Sequence, residues 1–132
     1  MFTFKTYLAV MAGGALGTGL RLFLSGLLAA KYGETFPIGT LAVNVAGSFV
    51  IGIFVALTGP EGAFLVTPLS RQFVTIGVIG GFTTFSSFSL QTFNLLGDGE
   101  WLRGGLNVLL SVVLCLLGVW LGHGLGASIN QR

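Results

Sequence analysis

The sequence has very few charged residues. Only 8% of its 132 residues are charged, with six Lys or Arg and four Asp or Glu. A soluble domain carries about 25% charged residues, because its surface must face water. No basic cluster is present that would suit a phosphate backbone. These shortages exclude an ordinary soluble enzyme, a nucleic-acid-binding protein and a disordered chain, and they leave an integral membrane protein.

Residues for catalysis or metal binding are also scarce. The single cysteine, Cys115, cannot form an internal disulfide, and no Cys/His spacing suggests a zinc or redox site. We expect Cys115 to be buried and inert, and His123 to lie at the membrane interface. The four carboxylates all fall between the long apolar stretches, at Glu34, Glu61, Asp98 and Glu100. We therefore expect no enzymatic activity and no proton-coupled exchange, since membrane carboxylates usually carry the proton.

Long apolar stretches are what the sequence has instead. Apolar and aromatic residues make up 53% of the chain, and the mean hydropathy is +0.93. A hydrocarbon core about 30 Å thick needs about 20 helical residues. Prolines and Gly-rich turns separate the stretches. The pattern predicts one all-α membrane domain, 1–132, with four spans at about residues 7–30, 38–58, 73–96 and 106–125.

The loop charges do not fix an orientation. With four spans, Lys5, Arg71 and Arg132 share one side of the membrane, and Lys31 and Arg103 the other. Orientation usually follows a clear Lys/Arg excess in cytoplasmic loops. Two interpretations stay open. The chain inserts both ways and pairs with an inverted copy of itself, or one residue or another subunit decides a single orientation.

Small residues favour close helix packing. Gly13 with Gly17, and Gly118 with Gly122, are spaced four apart, as in helices that approach closely in membranes. Four short helices with tight loops nevertheless bury little between themselves. We therefore expect a functional assembly of more than one chain.

Polar residues inside the spans are informative, because each must find a partner or line a wet path. Two polar stripes recur every four residues and so share a helix face: Thr40, Asn44 and Ser48 in the second span, and Asn107, Ser111 and Cys115 in the fourth. The stripes either line a hydrophilic path or form hydrogen bonds between helices. The spacing alone does not decide between the two.

The middle of the third span favours a hydrophilic path over hydrogen bonding between helices. Residues 80–89, GGFTTFSSFS, make a poor continuous helix. A broken helix at membrane depth is a recurrent way to place carbonyl and amide groups around an ion. A helix merely softened by Gly and Ser is the alternative. Phe85 and Phe88 share a face of any helical restart, and their spacing alone favours apolar packing.

Arg21 is the only basic residue well inside a span. Placing it in lipid costs about 2.5–3.5 kcal/mol even on the mildest scale. We therefore expect Arg21 to face a water-filled vestibule, where it would attract anions. Alternatively, the Arg21 side chain extends towards the membrane interface.

Four segments together resemble the Fluc (CrcB-type) fluoride channels. Residues 80–89 resemble the GG-x-TTFS-x-FS signature of that family, and residues 39–48, GTLAVNVAGS, its second-span motif G-T-x-x-x-N-x-x-G-S. GGALG at 13–17, followed by Leu20 and Arg21, is similar to the first-span opening, and NVLLS at 107–111 to the fourth span. The resemblance covers nearly the whole chain and keeps the order and spacing of the motifs.

The resemblance implies a fold and an activity. The fold is an antiparallel, dual-topology homodimer of four-helix subunits with a broken third helix, in the lipid bilayer of a bacterial inner membrane. The activity is passive, selective export of cytoplasmic fluoride, which relieves its toxicity. A structural sodium ion is implied where the two breaks cross, held by the backbone carbonyls of Gly80 and Thr83.

The resemblance also implies site residues, with Arg21 as the vestibule arginine. The implied pore residues are Asn44, Phe85, Phe88, Thr40, Thr84, Ser87 and Ser111. Fluoride is small and strongly hydrated, so donors must replace its water. Asn44 has two amide hydrogens, hydroxyls can each donate one, and phenyl rings have a positive edge. Asn107 occupies a polar-track position whose role stays open.

Two other classes of membrane protein share features with this sequence. A dual-topology small multidrug exporter also has four spans, but it needs a carboxylate in the first span, and none is present. A non-conducting subunit of a membrane assembly would use the polar stripes only to hold helices together. The missing carboxylate distinguishes this chain from the exporter. Ion transport by the purified protein would distinguish it from a non-conducting subunit.

Overall fold

The computed structural model describes residues 2–131. Arg132, which entered the comparison of loop charges, lies outside them. The described part is helical, with α1 at Phe4–Tyr32, α2 at Ile38–Leu57, α3 over residues 68–82, α4 at Phe85–Gly97 and α5 at Trp101–Asn130. Four segments are long and apolar enough to cross a membrane: α1, α2, α3 together with α4, and α5. The expectation of four helices able to span a membrane is confirmed.

Helix ends follow local capping, and several helices outrun the predicted spans. Helix α1 begins at Phe4 because the Thr3 hydroxyl accepts a hydrogen bond from the Thr6 N–H at 3.4 Å. It ends at Gly33, whose φ of 77° suits glycine. Helix α3 begins at Pro68, since proline lacks an N–H and fits the first turn. The predicted third span begins at about residue 73, whereas the structure includes Pro68 in α3.

The third span is irregular over much of its length. Helix α3 is α-helical at Pro68–Gln72, π-helical at Phe73–Ile79 and α-helical again at Gly80–Phe82. Thr83 and Thr84 are then extended, with ψ of 157° and 115°, before α4 begins at Phe85. This agrees with the expected broken helix. The π-helical turns were not predicted, and the chain breaks at the threonines rather than at the two glycines.

Helix α1 packs closely on α3 through glycines. A Cβ added at Gly13 would lie 2.6 Å from the Phe73 carbonyl oxygen, and one added at Gly81 would lie 2.6 Å from the Gly14 oxygen. One at Gly17 would overlap the Val78 oxygen. Gly81 of the third span therefore serves helix contact, and the close packing predicted for Gly13 and Gly17 is confirmed.

Helices α2 and α5 form the second tight pair. A Cβ at Gly118 would lie 3.2 Å from the Val45 oxygen, and one at Gly122 would overlap the Phe49 oxygen. This confirms the close packing predicted for the second glycine pair. Helix α4, by contrast, contacts chiefly α5 and touches α2 only near the break. One side of α4 is consequently left uncovered, with Phe85 77% exposed.

Candidate ion pathway around the broken helix

Asn44 holds the break from helix α2. Its Oδ1 accepts a hydrogen bond from the Thr84 N–H at 2.7 Å, and its Nδ2 donates to the Thr84 carbonyl at 3.0 Å. An extended residue between two helices has no helical partners for these groups, and a buried unpaired amide is costly. Asn44 satisfies both. One of its two amide hydrogens is thereby used, and one remains for another acceptor.

The hydroxyl groups at the break are largely engaged in capping. Thr84 is buried, and its Oγ1 accepts a hydrogen bond from the Ser87 N–H at 3.2 Å, which caps α4. The same oxygen lies 3.1 Å from Ser87 Oγ and 3.3 Å from Ser86 Oγ. Thr83 Oγ1 donates to the Ile79 carbonyl at 3.0 Å. The run of hydroxyl residues therefore ends one helix and starts the next.

The break redirects the backbone around the Gly80 and Thr83 carbonyls. In a continuous helix the Thr84 N–H would bond to the Gly80 oxygen, but here it donates to Asn44 Oδ1. Thr83 is extended, so its carbonyl lies outside the helical ladder. Unwound backbone carbonyls are the ligands that Na⁺ takes inside membranes. The two residues thus have the donor chemistry that a sodium site requires.

Most of the predicted pore residues meet in one groove beside the break. The groove has a volume of about 430 Å³, and its wall includes Asn44, Thr84, Phe85, Phe88 and Ser111. The two phenyl rings lie with centroids 5.2 Å apart and planes inclined at 53°. Further members of the wall are Ser48, Thr83 and Cys115. Amide, hydroxyl and aromatic groups therefore face one space at mid-membrane depth.

Two predicted pore residues lie elsewhere. Thr40 and Ser87 line a second cavity, of about 890 Å³, which also contains Arg21. Thr84 borders both this cavity, hereafter the vestibule, and the groove. The remaining polar and charged residues of the vestibule wall are Thr18, Ser25, Glu34, Ser86, Gln91, Asn94 and Asp98. The break thus stands between a polar vestibule and a more apolar groove.

The structure gives Asn107 a different setting from its neighbours on the stripe. It is only 2% exposed, and its Nδ2 donates to Thr92 Oγ1 at 2.9 Å. Neither cavity wall includes it. Ser111 and Cys115, further along the stripe, line the groove. His123 is exposed on α5. Cys115 is half-buried and borders the groove, so the expectation that it is buried is wrong.

Two polar residues of α4 were missed by sequence reasoning. Thr92 accepts the bond from Asn107, and Gln91 lines the vestibule with an Oε1 atom that is buried and without a partner among residues 2–131. Both lie within four residues of Phe88. Helical spacing beyond the recognised motif would have placed Gln91 and Thr92 on the same side of α4 as Phe88.

Comparison with known proteins identifies the family. Residues 8–123 match the family described as CrcB-like protein, Camphor Resistance (CrcB). A protein of Opitutus terrae is 62% identical over 125 residues, covering 95% of both chains. One of Rhodospirillum rubrum is 56% identical, covering 96% of this chain and 98% of its own. Both relatives carry the name fluoride-specific ion channel FluC. The chain belongs to the CrcB family.

Proposed function

We propose that the chain is a passive, fluoride-selective channel that exports cytoplasmic fluoride across a bacterial inner membrane and so relieves fluoride toxicity. The names of its relatives support this activity. The observation that carries the proposal is the groove in which the Asn44 amide, two phenyl rings and the Ser111 hydroxyl converge beside the break. A multidrug exporter is disfavoured, because all four carboxylates lie outside the membrane-spanning helices.

The groove has the chemistry to replace the water around fluoride. The second amide hydrogen of Asn44 and the Ser111 hydroxyl can donate to an anion. The edges of Phe85 and Phe88 offer weak positive charge and keep the space narrow. Among residues 2–131, no Lys or Arg lies on the wall of the groove. An anion is therefore held weakly enough to leave, as conduction requires.

The vestibule would gather the anion before it reaches the groove. Arg21 lies on its wall, and so do Thr40, Thr84 and Ser87. The Arg21 guanidinium attracts an anion locally, while Glu34 and Asp98 on the same wall, two negative groups against one positive, bring its total formal charge to −1. Because Thr84 borders both cavities, fluoride would pass from the vestibule to the groove at this residue.

An antiparallel homodimer would complete the pathway. The groove is open on the side of Phe85, which is 77% exposed, and α4 has few contacts apart from those with α5. A second, inverted copy would cover this apolar face. The small difference in loop charge allows insertion in both directions.

A structural sodium ion would fit between two such breaks. The Gly80 and Thr83 carbonyls would hold it, and a buried positive charge would lower the free energy of an anion nearby. The ion's role would be to join the subunits and to supply positive charge. Fluoride itself would be handled by the amide, hydroxyl and phenyl groups of the chain.

The deciding experiment is ion release from liposomes. Purified protein is reconstituted with internal fluoride or chloride, and a membrane potential is imposed. We expect rapid release of fluoride and very slow release of chloride. Equal release of the two anions would refute the proposed filter, and no release of either would favour a non-conducting assembly subunit.

Orientation is tested by labelling. In a Cys115→Ser background, Phe2→Cys places a single thiol near the N-terminus, at an exposed position, and leaves the loop charges unchanged. We expect an impermeant maleimide to label one population of the protein from outside sealed cells and the remainder only after permeabilisation. Labelling confined to one side would contradict dual topology without affecting the proposed fluoride transport.

A further inference from the structure

A buried hydrogen-bonded chain links α5 to the backbone of Phe88. Asn107 is 2% exposed and donates through Nδ2 to Thr92 Oγ1 at 2.9 Å. Thr92 is 9% exposed, and its Oγ1 donates in turn to the Phe88 carbonyl at 2.8 Å. Buried polar groups are costly without partners, so this chain has a defined geometry.

This hydrogen-bonded series lies at one end of a regular pairing between helices α4 and α5. On α4, Phe85, Phe88 and Thr92 are spaced three and four apart and share a face. On α5, Asn107, Ser111 and Cys115 share a face in the same way. The helices are joined by a short turn at residues 98–100 and are therefore antiparallel. The two faces oppose each other, with Thr92 bonded to Asn107 and the other four residues lining the groove.

Between residues 2 and 131, three side-chain hydrogen bonds tie helix α4 and its N-terminal cap to the other helices, at two places. Two of them join Asn44 to the cap residue, Thr84. The third joins Asn107 to Thr92, two turns further on. The bonds at the cap fix the start of the helix, and a further bond two turns along also limits its rotation about its axis. Successive residues differ by about 100° around a helix, so a small rotation moves a ring edge out of the groove.

We infer that Asn107 is a positioning residue, which acts through Thr92 to fix the rotation of α4 and so the direction in which Phe88 faces the groove. It does not contact the anion, because it lies on neither cavity wall. The inference rests on the proposed function, since Phe88 matters for selectivity only if the groove carries fluoride. It assigns Thr92 the same positioning role.

The test compares fluoride and chloride release from liposomes for Asn107→Leu and Thr92→Val. Both variants keep the number and branching of the side-chain heavy atoms and remove the bond. We expect each to lower the ratio of fluoride to chloride release by about tenfold, which corresponds to about 1.4 kcal/mol. Thr92→Ser keeps the hydroxyl and should retain the ratio.

Asn130→Ala is the matched control on the same helix. Asn130 also uses a side-chain amide between segments, donating to the Ala56 carbonyl and accepting from the Ala63 N–H, each at 2.9 Å. Its loss should change the thermal stability but not the release ratio. An unchanged ratio in Thr92→Val, or an equal change in Asn130→Ala, would overturn the inference.

A second measurement does not depend on transport. With 4-fluorophenylalanine at position 88, the ¹⁹F resonance should shift or broaden in Asn107→Leu and Thr92→Val and stay in place in Asn130→Ala. An unmoved resonance in Thr92→Val would overturn the inference even if the protein conducts. If the unsubstituted protein releases no fluoride, the proposed function fails, and the resonance still reports whether Asn107 positions the ring.

Discussion

Replacing Asn44 by leucine should both destabilise the protein and abolish fluoride transport. The substitution keeps the number and branching of the side-chain heavy atoms but removes two hydrogen bonds, at 2.7 and 3.0 Å, from the buried Thr84. Hydrogen bonds between membrane helices contribute about 0.6–2 kcal/mol each. Leaving a buried N–H and C=O unpaired costs about 1–3 kcal/mol per group. We therefore expect a loss of about 2–4 kcal/mol in the free energy of unfolding.

The assay is reversible unfolding in mixed micelles of increasing SDS content, followed by fluoride release from liposomes. Thr18→Val is a matched control near the same break. Thr18 Oγ1 donates to the Gly81 carbonyl at 3.4 Å in an exposed position, so its loss should cost less than about 0.6 kcal/mol. If Asn44→Leu were no less stable than Thr18→Val, Asn44 would not be what holds the break, and the reasoning would be refuted.

Three further predictions concern packing, the vestibule and the aromatic pair. Gly81→Ala should lower the free energy of unfolding in the SDS titration by about 1–3 kcal/mol, because its Cβ would lie 2.6 Å from the Gly14 oxygen. Gly14→Ala is the control and should be neutral, because its Cβ would meet nothing within 4 Å. Arg21→Gln should slow fluoride release several-fold in about 0.01 M salt and hardly at all in about 1 M salt, because the Debye length falls from about 30 Å to about 3 Å. An equal effect at both salt concentrations would contradict electrostatic attraction. Phe85→Ile should suppress fluoride release while size-exclusion chromatography shows an unchanged assembly, because the ring edge near Phe88 is lost; full-rate release would make Phe85 a packing residue only.

The broken helix shows how far local sequence carries a prediction. The run GGFTTFSSFS is unsuited to a continuous helix, and the structure interrupts the third span there. The exact place of the break was not predictable from propensity, which points at the glycines. Gly81 stays within the helix, and its lack of a side chain allows α1 to approach. Thr84 is extended because Asn44, forty residues earlier, satisfies the hydrogen bonds of its backbone.

Helical periodicity likewise does not predict which polar residues contact another helix and which line a cavity. A four-residue spacing puts Asn107, Ser111 and Cys115 on one face, and it does not say which of them meets a helix and which a cavity. The structure buries Asn107 against Thr92 and leaves Ser111 and Cys115 on the groove. Thr40 and Ser87, grouped with the pore from the motif, lie in the vestibule.

Composition and hydropathy by themselves determined that this chain crosses a membrane four times, because apolar stretches of this length have no other stable environment. The motifs identified the family. Tertiary structure alone decided which polar groups are used up within the protein and which remain free to face an ion. That division depends on contacts between distant helices, and such contacts are set by how glycine faces pack rather than by the spacing of residues along one helix.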